Sequence, residues 1–261
     1  MAQGIRRVDL NADLGESFGA YKMGNDEEML KIITSANVAC GFHGGDPLVM
    51  RKTLAMAKHN GVGVGAHPSL MDLWGFGRRA IQGESPKDIE AILIYQIGAI
   101  QAMARAAGLS VSHFKAHGAL GNAAAVDAEL AAACARAVKA TDPDMLFMVM
   151  PGNEMEKAGA AMGLRLVREV YADRAYDDDA NLVSRKVEGA VIHDPQVAAQ
   201  RVVRMVEEQA VTSISGKKIP VSFETICVHG DNPSAVEMAR SVRRALEQAG
   251  ISLRPMTEFA A

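Results

Sequence analysis

The chain has 261 residues, 49% apolar and 23% charged, with a net charge of −3 from 28 basic and 31 acidic side chains. That length suits one or two domains, a single barrel of about 250 residues included, and the composition is that of a globular protein rather than a disordered or fibrous one. The charge has no long block of one sign and no apolar run reaches the ~18 residues of a spanning helix, so neither nucleic acid nor membrane is expected as a partner.

From the N-terminus, MAQGIRRVDLNADLGE has no apolar leader core and turns acidic at once. Residues 5–10 read as the first strand, followed by a helix over 26–34 and a second strand at 36–40. Asp46-Pro47 opens a helix over 47–60: the carboxylate accepts from free N–H groups of the first turn, and proline there lacks only a donor that had no partner. The same device recurs at Ser85-Pro86, Asp194-Pro195 and Asn232-Pro233, opening helices over 86–107, 195–210 and 233–249. Two further helices are expected at 127–140 and 153–162, and Gly61, Gly108, Gly163 and Gly250 stand where helices end. The remaining short apolar runs, 62–66, 111–116, 145–150, 164–171 and 221–228, read as strands buried on both faces. Seven strands alternating with helices, at a repeat of roughly 37 residues, predict a parallel α/β architecture, with an open doubly wound sheet as the alternative to a barrel. No linker or low-complexity segment divides the chain, which reads as one domain over 1–261.

Polar residues gather where these strands stop: Asp9-Leu10-Asn11-Ala12-Asp13, Gly41-Phe42-His43, Ala66-His67-Pro68, Lys115-Ala116-His117-Gly118, Ala172-Asp173-Arg174 and His229-Gly230-Asp231-Asn232. Four of the seven histidines occupy this one kind of position, and parallel barrels place their sites at the C-terminal mouth. Period-two geometry puts Asp9, Asn11 and Asp13 on one face if the strand persists, and Lys115 with His117 on another. Lysine beside histidine suits an anionic substrate and a proton transfer; the pair also fits a surface lysine next to a core histidine bonded to backbone. Asp13, His43, His67, Lys115 and His117 are therefore expected in a single polar cleft, with His59 and His193 outside it. The loop Trp74-Gly75-Phe76-Gly77-Arg78-Arg79 offers backbone N–H groups and guanidinium forks to an anion. Tyr176-Asp177-Asp178-Asp179 reads as a surface loop rather than a metal site. Cys40, Cys134 and Cys227 form neither a disulfide framework nor a CxxC site, and reduced thiols in a cytoplasmic protein are expected. There is no phosphate-binding G-x-x-x-x-G-K-[ST], no G-x-G-x-x-G after a strand, no G-x-S-x-G and no H-E-x-x-H.

At these residues the sequence resembles the LamB/YcsF family, which supplies the A component of 5-oxoprolinase. The resemblance rests on DLNADLGE (9–16), ANVACGFHGGDP (36–47), GAHPS (65–69), GFGRR (75–79), KAHGALGN (115–122), EVYADRAY (169–176), GAVI (189–192) and VHGDNP (228–233), in the family order. It implies an irregular seven-stranded β/α barrel, TIM-barrel-like and of the glycoside hydrolase/deacetylase type. It further implies ATP-dependent opening of 5-oxo-L-proline to L-glutamate, with 5-oxoprolinase subunits B and C as partners. Ala116, Gly121 and Gly44 depart from the Pro, Tyr and Ala usual in the family, so an aromatic ring is missing near the pocket.

On that resemblance, partners holding the ATP would activate the lactam and this chain would hydrolyse the phosphorylated intermediate. Asp13, alone or with His43, is expected as general base, and His67 or His117 as acid. Lys115 and Arg78 would neutralise substrate anions, Asn11 would stabilise the tetrahedral oxygen, and Arg174 and His229 would line the mouth. No metal is assigned in this reading. Two alternatives stand beside it: a stand-alone metal-dependent amidohydrolase or deacetylase with Asp13, His43 and His67 as ligands, and a non-catalytic component of a lactam- or sugar-use pathway.

Overall fold

The structure, a computed structural model, describes residues 7–229 and 235–260. Its first half alternates β1 (Arg7–Leu14), α1 (Asp26–Met29), β2 (Ser35–Ala39), α2 (Pro47–Asn60), β3 (Gly63–His67), α3 (Pro86–Ala106) and β4 (Val111–Phe114). Then come α4 (Gly118–Ala124), α5 (Ala128–Thr141), β5 (Leu146–Val149), α6 (Glu154–Ala161), β6 (Leu166–Tyr171) and α7 (Pro195–Glu208). A small hairpin of β7 (Ala210–Thr212) and β8 (Lys218–Pro220) precedes β9 (Thr225–Cys227), α8 (Ala235–Gln248) and β10 (Ser252–Leu253).

Seven strands pair in parallel in the order β1-β2-β3-β4-β5-β6-β9, and β9 returns to β1 with Asp9 opposite Thr225 and Asn11 opposite Cys227. The sheet is thus a closed barrel with helices around it, not the open alternative, and β10 adds outside the ring along β1. The expected caps hold these helices. Asp46 accepts from Leu48 N and Val49 N at 2.8 and 3.0 Å, Ser85 and Asp88 make a reciprocal box, and Asp194 accepts from Gln196 N at 2.7 Å. Gly61, Gly108, Gly163 and Gly250 all adopt left-handed φ. The Asn232–Pro233 cap, the Gly230-Asp231-Asn232 strand end and residues 1–6 lie outside the described residues.

Several bounds differ from expectation. The first strand runs on to Leu14, because inside this barrel an alternating polar residue continues a strand rather than ending it. Helix α1 is one turn over 26–29 that relaxes into turns, and the seventh barrel strand spans only 225–227. Helix α4, the β7–β8 hairpin and β10 are additional; these three added strands are two or three residues long, below what periodicity can register.

The barrel interior is a polar column, whereas Val8, Leu10, Ala12 and Leu14 alternate outward into the helix-facing core. At its lower end Asp9 accepts from Ser35 Oγ (2.6 Å), Thr34 Oγ1 (2.7 Å), Thr225 Oγ1 (2.5 Å) and Met256 N (3.3 Å). Met256 and Ala260 pack there against Leu146, Met148 and Val167, so the C-terminal turn closes the bottom. One layer up, Asn11 donates to Thr225 Oγ1 (2.8 Å) and accepts from Asn37 Nδ2 (2.7 Å), while Asn37 Oδ1 accepts from His113 Nε2 (2.8 Å). Every layer is hydrogen-bonded to the next, as burial of polar groups requires. No helix among the described residues is long and apolar enough to cross a membrane.

Candidate active site

The upper end of that column is where the expected residues meet. Asp13 is the last inward residue of β1, His67 ends β3, Lys115 follows β4, His117 caps α4, and His43 lies in the loop after β2. Lys115 Nζ donates to Asp13 Oδ1 at 2.9 Å, and Asn37 Nδ2 donates to the same oxygen at 2.8 Å. Asp13 Oδ2 stands 3.2 Å from His67 Nε2, which in turn is 3.0 Å from His117 Nδ1. His43 joins by stacking on His117, ring centroids 3.7 Å apart and 6° from parallel. Burial runs through the group; only the Asp13 side chain, 20% exposed, offers solvent appreciable surface. His59 and His193 are exposed and lie elsewhere.

Two acidic residues complete the cluster that sequence reasoning did not select. Glu16 Oε1 is 3.2 Å from His43 Nε2 and 3.5 Å from His117 Nδ1. Glu169, from β6, places Oε1 2.9 Å from Lys115 Nζ, in ion-pair contact without hydrogen-bond alignment. Lys115 also donates to Cys227 Sγ at 3.2 Å and lies 5.5 Å from the Tyr171 ring centroid. Gly77 lets the loops close over this group. At φ 64° it adopts a backbone that side chains avoid, and a Cβ there would lie 2.5 Å from Ser69 Oγ, 2.7 Å from His43 Cβ and 2.8 Å from His117 Cδ2.

Electrostatics sort the members. Burial raises the Asp13 carboxyl, but His67 and Lys115 together outweigh it and hold Asp13 well below its ordinary range. Lys115 is pushed the other way, its burial penalty overcome by Asp13, Cys227 and Glu169, so it stays an ammonium. Burial, then His67, lowers the His117 imidazole to about 3, and burial, then His117, lowers His43 well below its usual value. Both rings are neutral at pH 7. Burial lifts the Cys40 thiol to about 12 and the Cys227 thiol well above normal, which leaves neither as a nucleophile.

The other expected residues sit at different stations. Arg78 is exposed on the rim, its guanidinium 5.0 Å over the Phe76 ring. Asn11 is fully buried one layer below, with its amide used by Thr225 and Asn37; it braces the column and is not placed to hold a tetrahedral oxygen. Lys115 is likewise committed to two carboxylates and is not a free cation for substrate. Arg174 is buried and donates to Val183 O at 2.7 Å, a loop anchor rather than a mouth residue. His229 belongs to a neighbouring group: Nδ1 is 2.7 Å from both Asp173 oxygens, and Nε2 accepts from Arg185 Nη2 at 2.7 Å. Its ring centroid is 6.0 Å from that of Tyr171, which links the two groups. The Asp177 and Asp178 side chains hold their own loop and the hairpin serines 213 and 215.

Among the described residues, the one group of three or more His, Cys, Asp or Glu side chains arranged to hold a metal ion is Glu16, His43, His67 and His117, with ligand atoms all within 4.8 Å. Asp13, expected as a ligand, is outside it, while Glu16 and His117 are within. Lys115 and Asn37 draw Asp13 Oδ1 to the opposite side.

The sequence profile described as the LamB/YcsF family matches residues 8–261. A relative from Rhodopseudomonas palustris (strain BisB18), named as the A subunit of 5-oxoprolinase, is 55% identical over 95% of this chain and 97% of its own. One from Bradyrhizobium diazoefficiens, named as a second A subunit of 5-oxoprolinase, is 54% identical over 96% and 98%. Among solved structures, the lactam utilization protein from Thermus thermophilus superposes with a TM-score of 0.91 at 46% identity, covering 95% of this chain and 99% of that one.

Proposed function

Because the chain belongs to the LamB/YcsF family, we propose that it is the A subunit of a 5-oxoprolinase, a single barrel domain that opens 5-oxo-L-proline to L-glutamate. The names of relatives above half identity over nearly the whole chain support the substrate class. That those relatives are named as one lettered component of an enzyme supports assembly with further components, for which 5-oxoprolinase subunits B and C are the candidates. Three buried free cysteines fit a cytoplasmic setting.

A five-membered lactam is a resonance-stabilised amide whose ends are held together, and closure of such rings is strongly favoured, so opening must be driven. ATP supplies the drive if its γ-phosphoryl is passed to the lactam oxygen, leaving an electrophilic ring carbon. The chain carries no nucleotide-binding motif, which assigns that step to the partners. Water then adds to the carbon, the C–N bond breaks with a proton delivered to nitrogen, and the acyl phosphate formed yields phosphate and glutamate to a second water.

The observation that carries this chain's part is Asp13: ionised, pinned by Lys115 and Asn37 through one oxygen, and the most exposed side chain of the five expected. It takes the proton from water and passes it to the departing nitrogen, one carboxylate serving as base and then acid. His67 and His117 do not serve as the acid, because their N–H bonds are spent on the Lys115 and Phe76 carbonyls. Arg78 is the rim cation for a substrate anion. Reconstitution with candidate B and C subunits, following glutamate release with and without ATP, tests the reading: turnover should need all three chains and ATP, and Asp13→Asn should lower kcat by about 10²–10⁴-fold. Undiminished turnover in Asp13→Asn would return the barrel to a non-catalytic role. The four-residue metal-ligand group favours a second reading, a metal-dependent amidohydrolase, for which chelator-sensitive turnover by this chain alone without ATP would be the sign.

A further inference from the structure

We propose that Glu16 Oε1, His43 Nε2, His67 Nε2 and His117 Nδ1 bind one divalent transition-metal ion of the zinc class. The direction of the lone pairs points to it. His67 Nδ1 is 2.8 Å from Lys115 O, and His117 Nε2 is 2.9 Å from Phe76 O. A carbonyl only accepts, so each of these nitrogens carries the ring proton. With those protons on the far sides, His67 Nε2 and His117 Nδ1 face each other at 3.0 Å. Asp13 Oδ2 and Glu16 Oε1 add two more acceptors at 3.2 and 3.5 Å from the same pair. A single cation set among these atoms would take the ring nitrogens and a carboxylate oxygen together as ligands. Backbone carbonyls on the far side of the ring are also how metal-bound histidines are usually held.

Spacing and ligand chemistry agree with this. Ligands about 2.0–2.1 Å from a tetrahedral ion are about 3.3–3.4 Å apart. The His67–His117, His43–Glu16 and His117–Glu16 separations of 3.0, 3.2 and 3.5 Å fall around that value, and all four ligand atoms lie within 4.8 Å of one another. Three imidazole nitrogens and one carboxylate oxygen suit zinc and its neighbours rather than magnesium or calcium, which take oxygen. His43 Nδ1 is buried without a hydrogen-bond partner, and the ring is held by its stacking on His117.

The metal site does not depend on the substrate reading, and its test is metal binding by the full chain. Protein freed of metal by chelation is titrated with Zn²⁺, Co²⁺ or Mn²⁺ against a chromophoric chelator, its metal content is measured by plasma mass spectrometry, and the Co²⁺ form is examined for visible d–d bands. One ion per chain is expected, with the bands of a nitrogen-rich site and a Tm rise of about 5–10 °C at a hundredfold excess over Kd. Glu16→Gln and His117→Asn should each weaken binding at least about tenfold, as loss of one ligand does, while exposed His59→Ala should not change it. Wild-type chain that takes up none of the three ions stoichiometrically overturns the proposal, whatever the variants do; so does equal weakening by His59→Ala. Glutamate release is scored separately: stoichiometric metal in a chain that never supports turnover keeps the site and removes the 5-oxoprolinase reading.

Discussion

Lys115 is the residue whose removal should do most damage to the fold of the site. Its ammonium is buried, touches Asp13 and Glu169 at 2.9 Å each, and is kept charged by them. Replacing it with methionine preserves the stem and deletes the charge, leaving two carboxylates facing each other in a buried mouth. Breaking a buried ion pair from one side costs about 3–5 kcal/mol, because the partner keeps its desolvation penalty and loses its compensation. For a chain of this size that is a fall in Tm of about 6–20 °C, from roughly 2–4 °C per kcal/mol. Circular dichroism melts at pH 7 read it directly. The cause is separable from lost packing: adding Glu169→Gln to Lys115→Met removes one of the stranded charges and should recover a substantial part of the loss. Lys115→Arg should not substitute, since a planar fork of five N–H bonds does not fit a point held between two carboxylates, a thiol and an aromatic ring. A loss in Lys115→Met of under about 1 kcal/mol, the scale of an exposed pair, would refute the buried-network reasoning.

Arg78→Ala in the assembled complex should cut kcat/KM by about 10- to 150-fold, the value of one charge-assisted bond of about 1.5–3 kcal/mol; unchanged kinetics would make the 75–79 loop a solvated turn. Burial raises the Asp9 carboxyl from 3.8 to about 6, so between those values the native state holds a proton that the unfolded chain has released, and stability falls as pH rises. In urea unfolding, the stability of wild type relative to Asp9→Asn should therefore drop by about 2–2.5 kcal/mol from pH 4 to pH 7, and a difference independent of pH would show that Asp9 is not the strained carboxylate.

Much of this was legible in the sequence because it depends on local rules. The Asp-Pro and Ser-Pro caps fixed helix starts, and the alternation of Asp9, Asn11 and Asp13 gave the inward face of β1 once the strand was allowed to continue. Glu16 was hidden by the same rule. Strict alternation would place position 15 inward, but Gly15 turns at φ 69°, shifts the count by one, and sends Glu16 beneath His43. Glu169 carried a readable signal, an acid inside an apolar run two residues beyond inward Val167, and it pairs in register with Thr225. Arg185 had none: it comes from the long connection after β6 and reaches His229 only through tertiary folding.

The interior of this barrel explains why chemistry concentrates at its upper rim. A polar core is tolerable only when donors and acceptors match, and up the column they do: hydroxyls and an amide N–H answer Asp9, and Asn11, Asn37, Thr225 and His113 answer one another. At the level of Asp13 the matching stops. There ring nitrogens face each other and carboxylate oxygens at 3.0 to 3.5 Å, and one ammonium serves two acids. The fold could have ended the column with a threonine or an asparagine, as it does lower down. Instead it holds acceptors together with rings locked by backbone carbonyls, a glycine that admits no side chain between them, and a lysine fixed from below. Such a convergence of acceptors is stabilised by whatever brings positive charge or protons to it. The layers beneath keep those acceptors from turning away to find other partners, so the stability of the column is what keeps the mouth reactive.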